Sequence, residues 1–141
     1  MANVSINVKN LKDYQLKVLK AHNELRNFEE RFLNTLALMV MTRAMKNTPV
    51  RTGRLRRSYK VTKVETKGND LTITIYNDAR DNGADESYAS YVEYGHFTRG
   101  RVSYVNGVRM LTMATDEVKA EMYRVWNRLF NEWTKEMGLW I

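Results

Sequence analysis

From Asn23 onward, Leu25, Phe28, Phe32, Leu36, Met39 and Val40 recur at three-and-four spacing, with Glu24, Arg26, Glu29, Glu30 and Arg31 between them. That period predicts a long amphipathic helix ending near Asn47. Pro49, the only proline, biases Thr48 away from helical angles and gives this boundary a mechanism. Upstream, Leu11, Tyr14, Leu16, Val18 and Leu19 form a less regular apolar stripe. Asn10, with Asp13 at the third helical position, predicts that this stripe is a separate opening helix capped at Asn10.

The period then changes from three-and-four to two. Leu71, Ile73 and Ile75 alternate with Thr72, Thr74 and Tyr76, so Ser58–Glu65 and Leu71–Tyr76 are expected as two strands joined by a turn at Lys67-Gly68-Asn69-Asp70. The polar run Asn77–Glu86 is expected as an exposed loop, whose acids fall out of register for a calcium loop. Tyr88–Tyr94 predicts a short helix closed by Gly95, followed by a loop around Gly100 and Gly107 that is rich in Arg99, Arg101 and Arg109. Val4–Val8 and Arg101–Val108 are further strand candidates. Val118, Met122, Val125, Trp126, Leu129, Trp133 and Met137 return to helical spacing in a final helix that begins after Met110 and is ended by Gly138.

Helix, helix, hairpin, loop and helix in that order predict an α+β fold, with long N-terminal and C-terminal helices packed on a small antiparallel sheet. The 141 residues suit one domain, in three parts: a helical part at 1–47, a hairpin and loop part with a short helix at 48–109, and the C-terminal helix at 110–141. At 43% hydrophobic and 28% charged residues, the chain has the composition of a folded domain and not of a disordered one.

The absence of cysteine excludes disulfides, thiolate metal sites and cysteine nucleophiles. Neither a secretory signal nor a membrane span is expected, since the longest apolar segment, Leu33–Met41, is interrupted by Asn34 and Thr35. His22 and His96 lack partners at the spacing of a metal motif, and the glycines are too scattered for a phosphate-binding loop. The sequence therefore predicts no catalytic site, no metal and no cofactor; a hydrolase centred on Glu93 and His96 has no substrate to recommend it.

A formal charge of +7 favours acidic partners without choosing among them. The cations concentrate between Arg43 and Lys67, where nine basic residues oppose only Glu65. Arg51, Arg57, Lys60 and Lys63 in this stretch are candidate phosphate contacts, and a non-specific DNA-binding module is the alternative function. Without a helix-turn-helix, a zinc finger or a stacking sheet beside them, a solvated surface or ion pairs between subunits is the stronger expectation. Trp126, Trp133 and Trp140 lie seven residues apart, which places Trp126 in the core and leaves Trp140, at an apolar chain end, for a subunit contact.

Thr48-Pro49-Val50 with Thr52-Gly53-Arg54-Leu55-Arg56, then Tyr88-Ala89-Ser90-Tyr91-Val92-Glu93-Tyr94-Gly95-His96, then Met110-Leu111-Thr112-Met113-Ala114 form three ordered motifs. Together they resemble a family of tailed-bacteriophage minor structural proteins: tail components, neck proteins and tail-completion proteins of the head–tail junction. The family commonly has an acidic residue where this chain has Arg51, and its stretch after His96 is variable, so Arg99–Asn106 receives no role from it. The resemblance implies a virion protein at the head–tail junction or tail end, assembled in the bacterial host cytoplasm and without catalysis. It implies a homo-oligomeric ring that meets neighbouring neck, connector or tail proteins and has passing contact with genomic DNA. Pro49, Gly53, Arg54, Leu55, Arg56, Tyr88, Tyr91, Glu93, Gly95, His96 and Met110 are the motif and candidate interface residues, joined by Trp140 from the apolar chain end, with Glu93 as a salt-bridge candidate.

Overall fold

A computed structural model describes residues 8–80 and 88–139. Helix α1 (Val8–Asn47) runs for 40 residues, about 60 Å. The two helices expected at the N-terminus are thus one, and Asn10 lies inside it instead of capping it. Nothing between Val8 and Asn47 breaks a helix, since the interval holds neither glycine nor proline. Within the polar interval around His22, Ala21 is buried beside Phe28 and Trp133, which ties the two halves into one rod.

After the turn at Pro49, a single helical turn, α2 (Arg54–Arg57), leads into strands β1 (Tyr59–Val61), β2 (Glu65–Lys67), β3 (Asp70–Thr72) and β4 (Ile75–Asn77). The expected hairpin is present and turns at Gly68-Asn69, but it is bent, not continuous. β1 pairs with β4 through Tyr59↔Asn77 and Val61↔Ile75, whereas β2 pairs with β3 through Glu65↔Thr72 and Lys67↔Asp70. Three residues, 62–64, therefore oppose two, 73–74, in a bulge-like step. The Thr62 amide donates to the Thr74 carbonyl at 2.9 Å, and the Thr74 amide donates to Thr62 Oγ1 at 3.0 Å. The far half of the hairpin leans on α1, where Arg26 donates to Thr66 Oγ1 at 3.2 Å.

Helix α3 (Tyr88–Tyr94) ends at Gly95, where φ of +87° opens strand β5 (Gly95–Phe97). β5 pairs with β6 (Tyr104–Asn106) in a second hairpin, so the arginine-rich stretch expected as a loop contains the strand foreshadowed at Arg101–Val108. The fold is α+β, with three two-stranded antiparallel sheets in place of one small sheet. The other strand candidate, Val4–Val8, lies outside the described residues apart from Val8, which is helical.

Helix α4 (Met110–Glu136) lies antiparallel along α1, fastened by Arg43 to Glu121 at 2.7 Å and by Arg31 to Glu136 at 3.6 Å. Two apolar clusters fill the seam. One joins Val40, Ala44, Leu55, Tyr59, Met110 and Val118; the other packs Ala21 and Phe28 against Trp133, with half-buried Trp126 set edge-on to Phe28 and Phe32 at centroid distances of 5.0 and 4.9 Å. Trp126 thus belongs with the core as expected, and Gly138, at φ +71°, follows the helix end. Trp140 lies outside the described residues.

Candidate functional site

The last turn of α1 delivers Thr48 to the point where the three motifs meet. Thr48 is buried, and its hydroxyl donates to the Ala44 carbonyl at 2.6 Å, as a threonine does when it closes a helical turn. With that proton committed, the Tyr59 hydroxyl, 3.0 Å away, is the donor to Thr48, and the Met110 sulfur lies 3.4 Å from the same oxygen. Burial pushes the Tyr59 phenol above its ordinary value of 10.0, against a smaller opposing effect of the Thr48 bond. Beside this node Arg56 Nε donates to the Met45 carbonyl at 2.9 Å, satisfying one of the orphan acceptors at the end of α1. Asn77 of β4 donates to the Leu55 carbonyl at 2.8 Å.

Glu93 has a different role from the expected salt bridge. Only 6% of it is exposed, and its carboxylate accepts the Leu111 amide, the Thr112 amide and the Thr112 hydroxyl at 2.8, 2.8 and 2.6 Å. It therefore supplies, from another helix, the negative charge and the acceptors that the start of α4 lacks in its own first turn. The backbone follows the same path: the Val108 amide donates to the Val92 carbonyl at 2.7 Å and the Arg109 amide to the Glu93 carbonyl at 3.1 Å. The two crossing segments touch where glycine is obligatory. A Cβ on Gly107 would stand 2.2 Å from the Glu93 carbonyl oxygen, and one on Gly95 would stand 2.4 Å from that of Val105.

Outside this buried junction, the turn after α1 and the start of α3 border a cleft of about 580 Å³. Pro49, Arg51, Gly53, Arg54, Arg80 and Tyr88 line it. Gly53 shapes its rim with φ of +74°. The Tyr88 amide, donating to the Ala79 carbonyl at 3.0 Å, fixes the cleft wall. Among the described residues the lining carries three guanidinium groups and no carboxylate, a set suited to an anion.

The sequence-predicted residues therefore divide into groups. Leu55, Glu93 and Met110 are buried within the chain and hold the motifs together, which removes them from any surface role. Arg56 is half-buried and engaged with α1. Tyr91 is exposed, with its ring edge-on to that of His96 at 5.6 Å. Of the candidate phosphate contacts, Arg51 lines the cleft, Arg57 reaches back to the Thr52 carbonyl at 3.4 Å, Lys60 pairs with Asp78, and Lys63 is exposed on the bent hairpin. Arg43, first of the basic run, is committed to Glu117 and Glu121. The run is thus not one patch. Thr48, read in the sequence as the helix boundary ahead of Pro49 and the start of a motif, and Gly107, read as part of a loop, are both central to the junction. Among the described residues no helix is long and apolar enough to cross a membrane.

A family model described as "Bacteriophage HK97-gp10, putative tail-component" matches residues 4–95, more than half of the chain. The match takes in α1, the turn, the bent hairpin and α3, and it stops at the glycine where β5 begins. No curated protein and no solved structure matches the chain. The match covers the first two of the three motifs, the second up to Gly95, and the chain belongs to the HK97-gp10-like family of bacteriophage tail components.

Proposed function

We propose that this tail-related structural protein works at the phage neck or tail end, where copies of it form a ring that joins head to tail or completes the tail. One observation carries the reading. All ten residues Leu11–Lys20 of α1 are exposed, although Leu11, Tyr14, Leu16, Val18 and Leu19 are large and apolar. An isolated helix with that much apolar surface on it is the signature of a partner surface. Protomers that meet head to tail through such an arm close into a ring. This reading needs no catalysis, and the hydrolase alternative at Glu93 and His96 is disfavoured because Glu93 spends its carboxylate on α4.

Light scattering across a concentration series, with negative-stain imaging of any large species, tests this. A discrete ring that Leu16→Glu with Leu19→Glu disperses is the expected result; a strict monomer at every concentration contradicts it. A second reading, DNA contact in transit, is supported by the guanidinium-lined cleft and by Lys63 and Lys67 of the bent hairpin, which make no ion pair among the described residues. A salt titration with duplex DNA tests that reading, which requires binding that weakens steeply as salt rises.

A further inference from the structure

From Tyr94 to Thr115 the chain runs for 22 residues without an acidic side chain. This stretch holds the β5–β6 hairpin and three arginines, Arg99, Arg101 and Arg109, none of which makes an ion pair among the described residues. The backbone adds an independent observation. Among the described residues only two that are not glycine have positive φ, and both are arginines of this stretch: Arg101 at +56° and Arg109 at +53°. Glycine or asparagine would suit those conformations better. A strained arginine is a reason to ask what its side chain does.

The hairpin is also stiff and apolar at its surface. The Thr98 amide donates to the Ser103 carbonyl at 2.8 Å and the Arg101 amide to the Thr98 carbonyl at 2.8 Å, closing the tip, while Phe97 and Tyr104 meet edge-on at 5.0 Å. Tyr104 anchors the base by donating to the Tyr94 carbonyl at 2.7 Å. Along the hairpin Val102 is 86% exposed, and Phe97, Val105 and Val108 are exposed as well. A phosphate backbone would neutralise the arginines and leave these apolar groups in water. A protein surface would cover both, and arginine with aromatic residues is the composition of interface centres.

We propose that the β5–β6 hairpin is a preformed docking element for an acidic, partly apolar protein surface, with Val102 and Phe97 as the apolar contacts and Arg99, Arg101 and Arg109 as the carboxylate-binding groups. Its stiffness lowers the ordering cost of association. The site is separate from the apolar arm of α1, so it stands whether or not that arm closes a ring.

Fluorescence anisotropy of the full chain with three labelled probes tests this at low salt: a random glutamate–tyrosine copolymer, polyglutamate of equal charge, and a 20-base-pair DNA duplex. The copolymer is expected to bind tightest. The triple variant Arg99→Ala, Arg101→Ala, Arg109→Ala is expected to weaken it by about tenfold or more, and Val102→Ser is expected to remove the advantage over polyglutamate. Lys63→Ala with Lys67→Ala, on the other hairpin, is expected to leave binding unchanged. Arg101→Asn separates the contact from a structural role: it suits the left-handed backbone, so the protein keeps its melting temperature while copolymer binding falls. Tighter binding of the duplex with the same loss in the triple variant would make the hairpin a nucleic-acid contact and overturn the proposal. So would the absence of copolymer binding, or binding indifferent to the arginines.

Discussion

Glu93 receives hydrogen bonds from two amides and a hydroxyl of a helix that begins 17 residues later in the chain. Changing it to glutamine keeps its shape but replaces one acceptor oxygen by a donor that faces amide protons, and it removes the charge that complements the helix start. Glu93→Gln is therefore expected to cost about 2 kcal/mol, read as a lowered urea midpoint with an unchanged slope. Gly107→Ala meets a harder limit, because the atom in the way is a backbone oxygen that cannot rotate aside. Its expected cost is about 3 kcal/mol, whereas Gly68→Ala, with open space around the position, bears only the penalty of its positive φ. At this scale the sequence was partly legible. The motifs marked Glu93, Gly95 and Met110 as important, but a motif does not say whether a residue points outward or inward. The carboxylate that looked like a surface ion-pair partner is a buried cap because its donors are backbone amides, which sequence reading does not display.

Among the elements, α1 was harder to read than α4. The three-and-four period of Phe28, Phe32, Leu36 and Val40 is clear because α4 covers it, whereas the stripe from Leu11 to Leu19 is ragged because nothing among the described residues buries it in the protomer. A ragged stripe looked like a separate short helix. In a helix without glycine or proline, continuity is decided by the backbone and not by the stripe. It follows that Leu16→Glu with Leu19→Glu leaves the protomer's denaturation midpoint nearly unchanged, within about 0.5 kcal/mol, while it disperses any assembly. A stability loss as large as that of a core substitution would mean that the arm is packed within its own chain. The bent hairpin shows the opposite limit. Alternation identified its strands and its turn, but the one-residue step at 62–64 against 73–74 left no trace in the pattern, since Val61 and Val64 read as apolar positions under either register.

For the molecule as a whole, the α1–α4 seam is apolar at its centre and charged along its edge, and the charged edge makes its stability depend on pH. Arg43, within 2.7 Å, holds the Glu121 carboxyl below its ordinary value of 4.5 by hydrogen bonding, with Arg124 adding to the effect. A carboxyl lowered in the folded state contributes stability that is present above the unfolded value and is lost as pH falls through the folded one. The urea midpoint is accordingly expected to fall as the pH drops below about 4.5, and Arg43→Met is expected to flatten that decline relative to the parent while lowering the midpoint at neutral pH. An unaltered acid slope in the variant would show that Glu121 is not the group responsible.

The base of the second hairpin has a further consequence. Gly95, Gly107 and the Val92–Val108 bond fix where the chain leaves the body and where it returns, while the residues between them bury little within it. Doubling the length of a tip closed in this way costs only about 0.6 kcal/mol in loop entropy. The architecture thus separates what has to stay constant for folding from what is free to vary. Tips of other lengths and charges are compatible with the same frame, and if the hairpin docks as proposed, such grafts would redirect the protein to other surfaces without redesigning its core.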